Sequence, residues 1–216
     1  MTNPSAKRTY DVVFAALGLL ILSPLVLLIA IVVKLSDGGP IFFLQRRIGQ
    51  YGRPFWIWKF RTMVVDAEKH GLSVTRAGDH RVTPVGRVLR LTKLDELPQL
   101  WNVLRGEMSF VGPRPEVPRY VERYTPEQRR VLELKPGITD LASLEFRREE
   151  ELLRNVADTE KFYIEQCLPK KIELNLVYNR HANLWHDTRI ILRSLIPFGP
   201  PRIAVGKGRG LEQELY

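Results

Sequence analysis

No charged residue occurs between positions 12 and 33, where the chain reads VVFAALGLLILSPLVLLIAIVV. At about 1.5 Å per residue, a helix over this run reaches about 33 Å, enough to cross a bilayer core of roughly 30 Å. Hydropathy alone therefore reads it as a single spanning helix. Two features favour a helix that turns back instead. Ser23-Pro24 sits at the middle of the run. Pro24 has no N–H for the Leu20 carbonyl, its ring crowds that turn, and the Ser23 hydroxyl can return to the Leu19 carbonyl. Both flanks are also basic, with Lys7 and Arg8 before the run and Lys34, Arg46, Arg47, Arg53 and Lys59 after it. Positive residues favour the cytoplasmic side, so symmetric flanks give a spanning helix no orientation, whereas a helix that enters and returns satisfies both. Proline is tolerated in spanning helices, so the two readings stay open on the residues alone. A cleaved leader is not expected. The run is too long for a signal core, and Lys34-Leu35-Ser36 is not a small-residue cleavage site.

The remainder of the 216 residues is enough for one domain. The 33 Lys and Arg exceed the 24 Asp and Glu by a net +9, which asks for an anionic partner such as a phosphorylated substrate or a membrane surface. Nucleic acid is not an expected partner, because no helix-turn-helix, zinc-finger or RNP-like signature occurs. Cys167 is the only cysteine, so no intrachain disulfide forms. His70, His80, His181 and His186 lack metal-ligand spacing.

After the Gly38-Gly39-Pro40 turn, IFFL (41–44) and FWIWKFRTM (55–63) read as two strands of a hairpin. The aromatics suit either ordinary core or an interfacial belt. Lys59 and Arg61 lie two apart and project from one face of the second strand, a pairing suited to phosphate, although each alone reads as a solvated surface charge. Residues 66–70 read as a short helix and 72–83 as a polar loop over a site. PVGRVLRL (84–91) places Arg87 and Arg90 on one helical face beside an apolar stripe.

TKLDELPQLWNVLRGEMSFVGPRP (92–115) sets the adjacent carboxylates Asp95 and Glu96 just ahead of Pro98 and of helically spaced Leu97, Leu100, Trp101 and Leu104. Thr92 three residues before Asp95 approximates a capping box, and Pro98 belongs in a first turn, so a helix is expected to start close to Asp95. At an arbitrary helix start such carboxylates merely compensate the dipole, worth about 0.3–1 kcal/mol each. Here the N-terminus suits phosphate, the carboxylate pair suits Mg²⁺, and Pro113 and Pro115 hold Arg114 on a pre-set backbone for bidentate phosphate contact. Carboxylates, metal and arginine together resemble the parts needed for phosphoryl-group transfer.

KRTYD (7–11), the Ser23-Pro24 break, GGPIFFLQRRIGQYGRPFWIWKFRTM (38–63), the 92–115 segment and KPGIT (135–139) resemble the bacterial monotopic phosphoglycosyl transferases, the bacterial sugar transferase family, in its compact form. KFRTM, LDELPQL and SFVGPRP in this order are highly specific, and the resemblance runs from about Lys7 to Pro197. It implies an enzyme that moves a phospho-sugar from a nucleotide sugar, usually UDP-linked, to a polyprenyl phosphate. The products are a polyprenyl-diphosphate sugar and UMP, the mechanism ping-pong, and the cofactor Mg²⁺. Asp95 corresponds to the nucleophile that carries a covalent phospho-sugar, and Glu96 to its partner in metal binding and in activating the lipid phosphate. Arg90 and Arg114 fall on phosphate-binding positions.

The fold expected from this resemblance is α+β and mostly helical. A re-entrant membrane helix broken at Ser23-Pro24 occupies 1–36, a catalytic domain 37–201, with a small hairpin and interfacial amphipathic helices, and a flexible tail 202–216. The expected location is the cytoplasmic face of a bacterial inner membrane, with membrane lipids, a homodimer and later glycosyltransferases of the same pathway as further partners. The chain departs from the family at GITDLASL (137–144), where many relatives read GITGWAQV, and at Glu145-Phe146-Arg147, where they often carry Asn-Gly-Arg. Arg147 remains the candidate substrate contact of that loop. LWHDTRIILRSLI (184–196) is amphipathic, with Trp185 in the apolar stripe, and suits either the membrane interface or packing on the core. A membrane-anchored interaction module and a Mg²⁺-dependent phosphatase are the rival functions. The first has no use for the Asp95-Glu96 pair, and the second would release inorganic phosphate instead of UMP.

Overall fold

Helix α1 runs from Pro4 to Asp37 without interruption, eight residues earlier than the apolar run itself requires. The computed structural model describes residues 4–67, 74–154 and 156–195, so the expected tail at 202–216 and most of the expected helix at 66–70 lie outside the described residues. The helix stays helical through Pro24 for a local reason. The Leu20 carbonyl, which a proline nitrogen cannot serve, accepts instead from the Ser23 hydroxyl at 2.8 Å. The expected partner was Leu19, one residue earlier.

Both halves of α1 pack on the rest of the chain. Ala15 and Leu19 enter a cluster with Phe55, Ile57, Leu100, Val103 and Met108. Ile29 and Val33 enter another with Phe60 and Leu89, joined by Leu25, Val26 and Ala30. Both ends are held as well. The Arg8 guanidinium donates to the Val103 and Leu104 carbonyls at 2.6 and 2.7 Å, and Lys7 pairs with Asp187. At the other end Asp37 takes both terminal nitrogens of Arg61, whose Nε donates to the Pro40 carbonyl at 2.6 Å. The opposite face remains apolar and exposed at Leu20, Ile21, Leu27 and Leu28.

Strands β1 (Phe42–Ile48) and β2 (Pro54–Phe60) form the expected antiparallel hairpin, with Phe42 opposite Phe60. The first strand runs four residues further than its apolar core suggested. Helix α2 (Pro84–Thr92) starts at the Thr83 cap, and Gly86 brings it against the backbone of Thr62. Lys93, with φ +60°, ends it. Then come a 3-10 turn at Leu94–Glu96, helix α3 (Gln99–Arg105) and strand β3 (Ser109–Val111). This corrects the expected helix start: the Thr92 hydroxyl donates back to Val88 and Leu89 instead of capping a new helix. Leu94 to Glu96 form a single turn between two helices.

Short helices α4 (Pro118–Val121) and α5 (Pro126–Arg129) follow, the latter opened by a full Thr125–Gln128 capping box. Strand β4 (Gly137–Thr139) pairs in parallel with β3, a second sheet that the sequence pattern did not reveal. Helices α6 (Leu141–Glu145), α7 (Glu149–Leu152), α8 (Thr159–Phe162), α9 (Leu168–His181) and α10 (Leu184–Ser194) complete the chain. Among the described residues the fold is thus α+β and mostly helical, with two two-stranded sheets. Asp187, on the amphipathic α10, is buried against Lys7 and Tyr178. Trp185 and Leu192 of that stripe are exposed.

A Cβ added at Gly86 would lie 2.0 Å from the Thr62 carbonyl oxygen, whereas Gly52, at φ +74°, has open space around it. Gly86→Ala is expected to destabilise by about 1–3 kcal/mol through overpacking. Gly52→Ala is expected to cost only about 1 kcal/mol for the left-handed backbone. Thermal unfolding of the two variants in detergent should show the larger fall in Tm for Gly86→Ala.

Candidate active site

Two rigid supports flank the 3-10 turn that carries Asp95 and Glu96. The first is β2. Its outward edge is closed by Asn102 of α3, which accepts from the Trp58 amide at 3.1 Å and donates to the Trp56 carbonyl at 2.7 Å. This side chain is fully buried and takes the place of a neighbouring strand. Lys59, next along β2, is thereby held at a fixed height. The second support is the Gly112–Pro115 loop. Gly112 and Gly137 approach so closely that a Cβ on either would meet the other's backbone, the Gly112 one lying 2.1 Å from the Lys135 carbonyl oxygen. The Pro113 and Pro115 carbonyls accept from Gly137 N–H and the Arg47 guanidinium at 3.1 and 3.0 Å. Asp140 accepts from the Arg114 amide at 3.2 Å, from Asn175 at 2.7 Å and from the Ser143 amide that it caps.

Between these supports Glu96 Oε1 accepts from Lys59 Nζ at 2.8 Å and from Arg114 Nη2 at 2.9 Å. The neighbouring Asp95 is differently placed. Both carboxylates are buried, yet Asp95 Oδ1 accepts no hydrogen bond. Their protonation tendencies diverge accordingly. Burial and the adjacent Glu96 charge push the Asp95 carboxyl up. Burial would raise Glu96 too, but Arg114 and then Lys59 overcome it and hold Glu96 well below the usual range. Burial brings Lys59 down to about 8 against the pull of Glu96, and Glu96 raises Arg114. One carboxylate is thus the fixed counter-ion of two cations, and the other is a buried oxygen with unspent acceptor capacity.

Asp95, Glu96, Lys59, Arg90, Arg114 and Arg147 all line one cavity of about 1320 Å³. Arg90 reaches across it to Glu150 at 2.5 Å, and Arg147 donates to the Arg193 carbonyl at 2.7 Å. Arg61 lines the same cavity, but it does not converge with Lys59. Its three nitrogens go to Asp37, Pro40 and Met63, so the shared strand face does not yield a shared anion site. Ser23 and Pro24 lie on the exposed side of α1, in its middle. Asn102, Asp140 and Glu150 escaped the sequence reading. Asp140 followed by Leu-Ala-Ser carried a readable cap signal, whereas the partners that place Asn102 and Glu150 here, Trp56, Trp58 and Arg90, are distant in sequence.

Among the described residues no cluster of three or more His, Cys, Asp or Glu could hold a metal ion. The Asp95–Glu96 pair offers at most two protein carboxylates. That fits Mg²⁺, which keeps several waters and takes one or two carboxylates together with substrate phosphates. The buried, unpartnered Oδ1 of Asp95 is a hard oxygen donor of the required kind.

Residues 2–198 match the family described as bacterial sugar transferase. The chain is 40% identical over 197 residues to the UDP-glucose:undecaprenyl-phosphate glucose-1-phosphate transferase of Escherichia coli (strain K12), covering 88% of this chain and 39% of that protein. It is 37% identical over 194 residues to the UDP-N-acetylgalactosamine-undecaprenyl-phosphate N-acetylgalactosaminephosphotransferase of Aeromonas hydrophila, covering 88% and 42%. A UDP-glucose:undecaprenyl-phosphate glucose-1-phosphate transferase of Caulobacter vibrioides is 40% identical over 192 residues, covering 88% and 68%. The chain thus spans about two fifths of the first two relatives and about two thirds of the third. The matched region contains both supports, the turn between them and the whole of α1, and on that extent of likeness the chain belongs to the bacterial sugar transferase family.

Proposed function

We propose that this protein transfers a phospho-sugar from a UDP-sugar to a polyprenyl phosphate, with Asp95 as nucleophile. The observation that carries the reading is the contrast within the acidic pair. Glu96 is bound to two cations, while Asp95 keeps a buried oxygen free beside them. A carboxylate oxygen with no competing donor is what attack on phosphorus needs. The names of the similar proteins supply the substrate class, a UDP-sugar and undecaprenyl phosphate.

In the first step an Asp95 oxygen forms a bond to the β-phosphorus, and the bond from that phosphorus to the bridging oxygen breaks, so UMP leaves with the electron pair. In the second a lipid phosphate oxygen attacks the same phosphorus, and the bond to Asp95 breaks, restoring the carboxylate. Both substrates meet one centre in turn, which is the logic of a ping-pong reaction. Lys59 and Arg114, pre-positioned on Glu96, offer their remaining N–H groups to the phosphate oxygens, and Arg90 can exchange Glu150 for phosphate. Mg²⁺, held by Asp95 and Glu96 when bound, would supply charge neutralisation on the phosphates. Arg147 is assigned to the sugar or nucleotide side of the cavity.

The membrane placement follows the same reasoning. Over its most apolar window α1 has a mean hydropathy of 3.0 with only 11% of that window buried. Its two ends are tied to one domain, through Arg8 and Lys7 at the start and Asp37 at the end. With both ends of α1 held on one domain, the two ends belong to the same side of the membrane. That supports a monotopic, re-entrant insertion at the cytoplasmic face of a bacterial inner membrane, bringing Asp95 to the level of lipid phosphates.

The central test is UMP release across a panel of UDP-sugars in Mg²⁺ with undecaprenyl phosphate. Release with at least one sugar, abolished by EDTA, is expected, and release from none would refute the reading. Asp95→Asn should lose transfer together with covalent labelling by a sugar-tagged UDP-sugar. Labelling that persists in this variant removes Asp95 from the role. Single cysteines at Thr9 and Ser36 should react alike with an impermeant thiol reagent in sealed and everted vesicles. Reaction at only one of them would establish a spanning helix.

A further inference from the structure

Helix α2 presents three different faces. Leu89 and Gly86 are buried, Leu89 in the cluster that contains Ile29 and Val33 of α1. Arg87 and Arg90 line the cavity that contains Asp95. At 3.6 residues per turn, the positions next to Arg87 on the side away from Arg90 are Leu91 and then Val88. These two are exposed, 66% and 59% respectively. Leu91 also lines the cavity, as do Val64 and Val65, which are themselves 44% and 51% exposed. An apolar strip therefore begins inside the charged cavity and runs out along α2, on the helix that packs against the C-terminal half of α1.

A surface that leads from arginines to exposed aliphatic side chains has a chemical meaning. A nucleotide sugar has no hydrocarbon chain to lay along it. An amphiphile with an anionic head and a hydrocarbon tail needs both parts in this order. We infer that the strip of Val64, Val65, Leu91 and Val88 seats the first isoprenoid units of the acceptor lipid, with its phosphate at Arg87 and Arg90. This deepens the proposed function and rests on it. The tail leaves the cavity beside Leu91 and continues over Val88 toward the exposed apolar face of α1 at Ile31, Val32 and Leu35. Arg87 and Arg90, three residues apart, steer the head inward, where Asp95 carries the group to be transferred.

The test compares Val88→Ser/Leu91→Ser with the unsubstituted protein, using undecaprenyl phosphate and a short-chain isoprenyl phosphate as acceptors with one UDP-sugar. Both side chains are exposed, so the variant is expected to fold and to be labelled by the UDP-sugar as before. Loss of two aliphatic contacts should raise the KM for undecaprenyl phosphate roughly tenfold. The KM for UDP-sugar should stay unchanged, and the preference for the long acceptor over the short one should shrink. An unchanged ratio between the two acceptors overturns the inference. So does an equal loss on both acceptors accompanied by weaker binding to vesicles of phosphatidylethanolamine and phosphatidylglycerol, which would make the strip a bilayer contact. Should the unsubstituted protein transfer to neither acceptor, the proposed function falls and the inference with it. Normal transfer with an unchanged ratio refutes the inference alone.

Discussion

One carboxylate oxygen, Glu96 Oε1, joins three separate elements of the chain. It belongs to the turn after α2, Lys59 comes from the hairpin, and Arg114 comes from the loop after β3. The buried Glu96 charge would be costly alone, since desolvation must be offset by close partners. Neutralising Glu96 would leave Lys59 and Arg114 without their shared counter-ion and would release the elements that carry them. The reactive geometry and the fold of this region are therefore the same interaction. Asp95 profits from it without taking part: its neighbours are occupied, and one of its oxygens is left over.

The supports behind that interaction are mostly backbone contacts. Gly112 against Gly137 and Gly86 against Thr62 allow main chains to approach more closely than any side chain permits. Asn102 completes a strand edge from a helix. Asp140 gathers the Arg114 amide, Asn175 and the start of α6. The glycine contacts fix distances sharply, because neither partner there has rotamers to explore. They suit the proposed reaction, in which two anionic substrates would be handled in turn by a few cations.

Helix α1 is continuous with this construction. Its inner side supplies core to both the hairpin and α3, and its outer side is free hydrocarbon. The same helix therefore acts as scaffold for the site and, in the proposed placement, as anchor. Arg61, which the strand pattern aligned with Lys59, serves this arrangement by gripping Asp37. A two-residue period says which face a side chain leaves from. It does not say which of two nearby anions it will find.

By itself the sequence determined what depends on local order. The uncharged run, the hairpin, the amphipathic α2, the acidic pair and the stiff Pro-Arg-Pro loop are all stated by neighbouring residues, and the motif order carried the family. Tertiary structure decided the rest. It turned the expected helix start at Asp95 into a 3-10 turn, because Lys93 in the left-handed region ends α2 and both carboxylates must then face the cavity. It paired β3 with β4 across a gap of more than twenty residues, carried α1 unbroken past Pro24 and buried Asp187 beneath α10. It also gave Asp95 and Glu96, adjacent residues of nearly the same chemistry, different surroundings. The physical reason is common to all of these. Each outcome is set by a partner far along the chain, and only the folded core brings that partner within hydrogen-bonding distance.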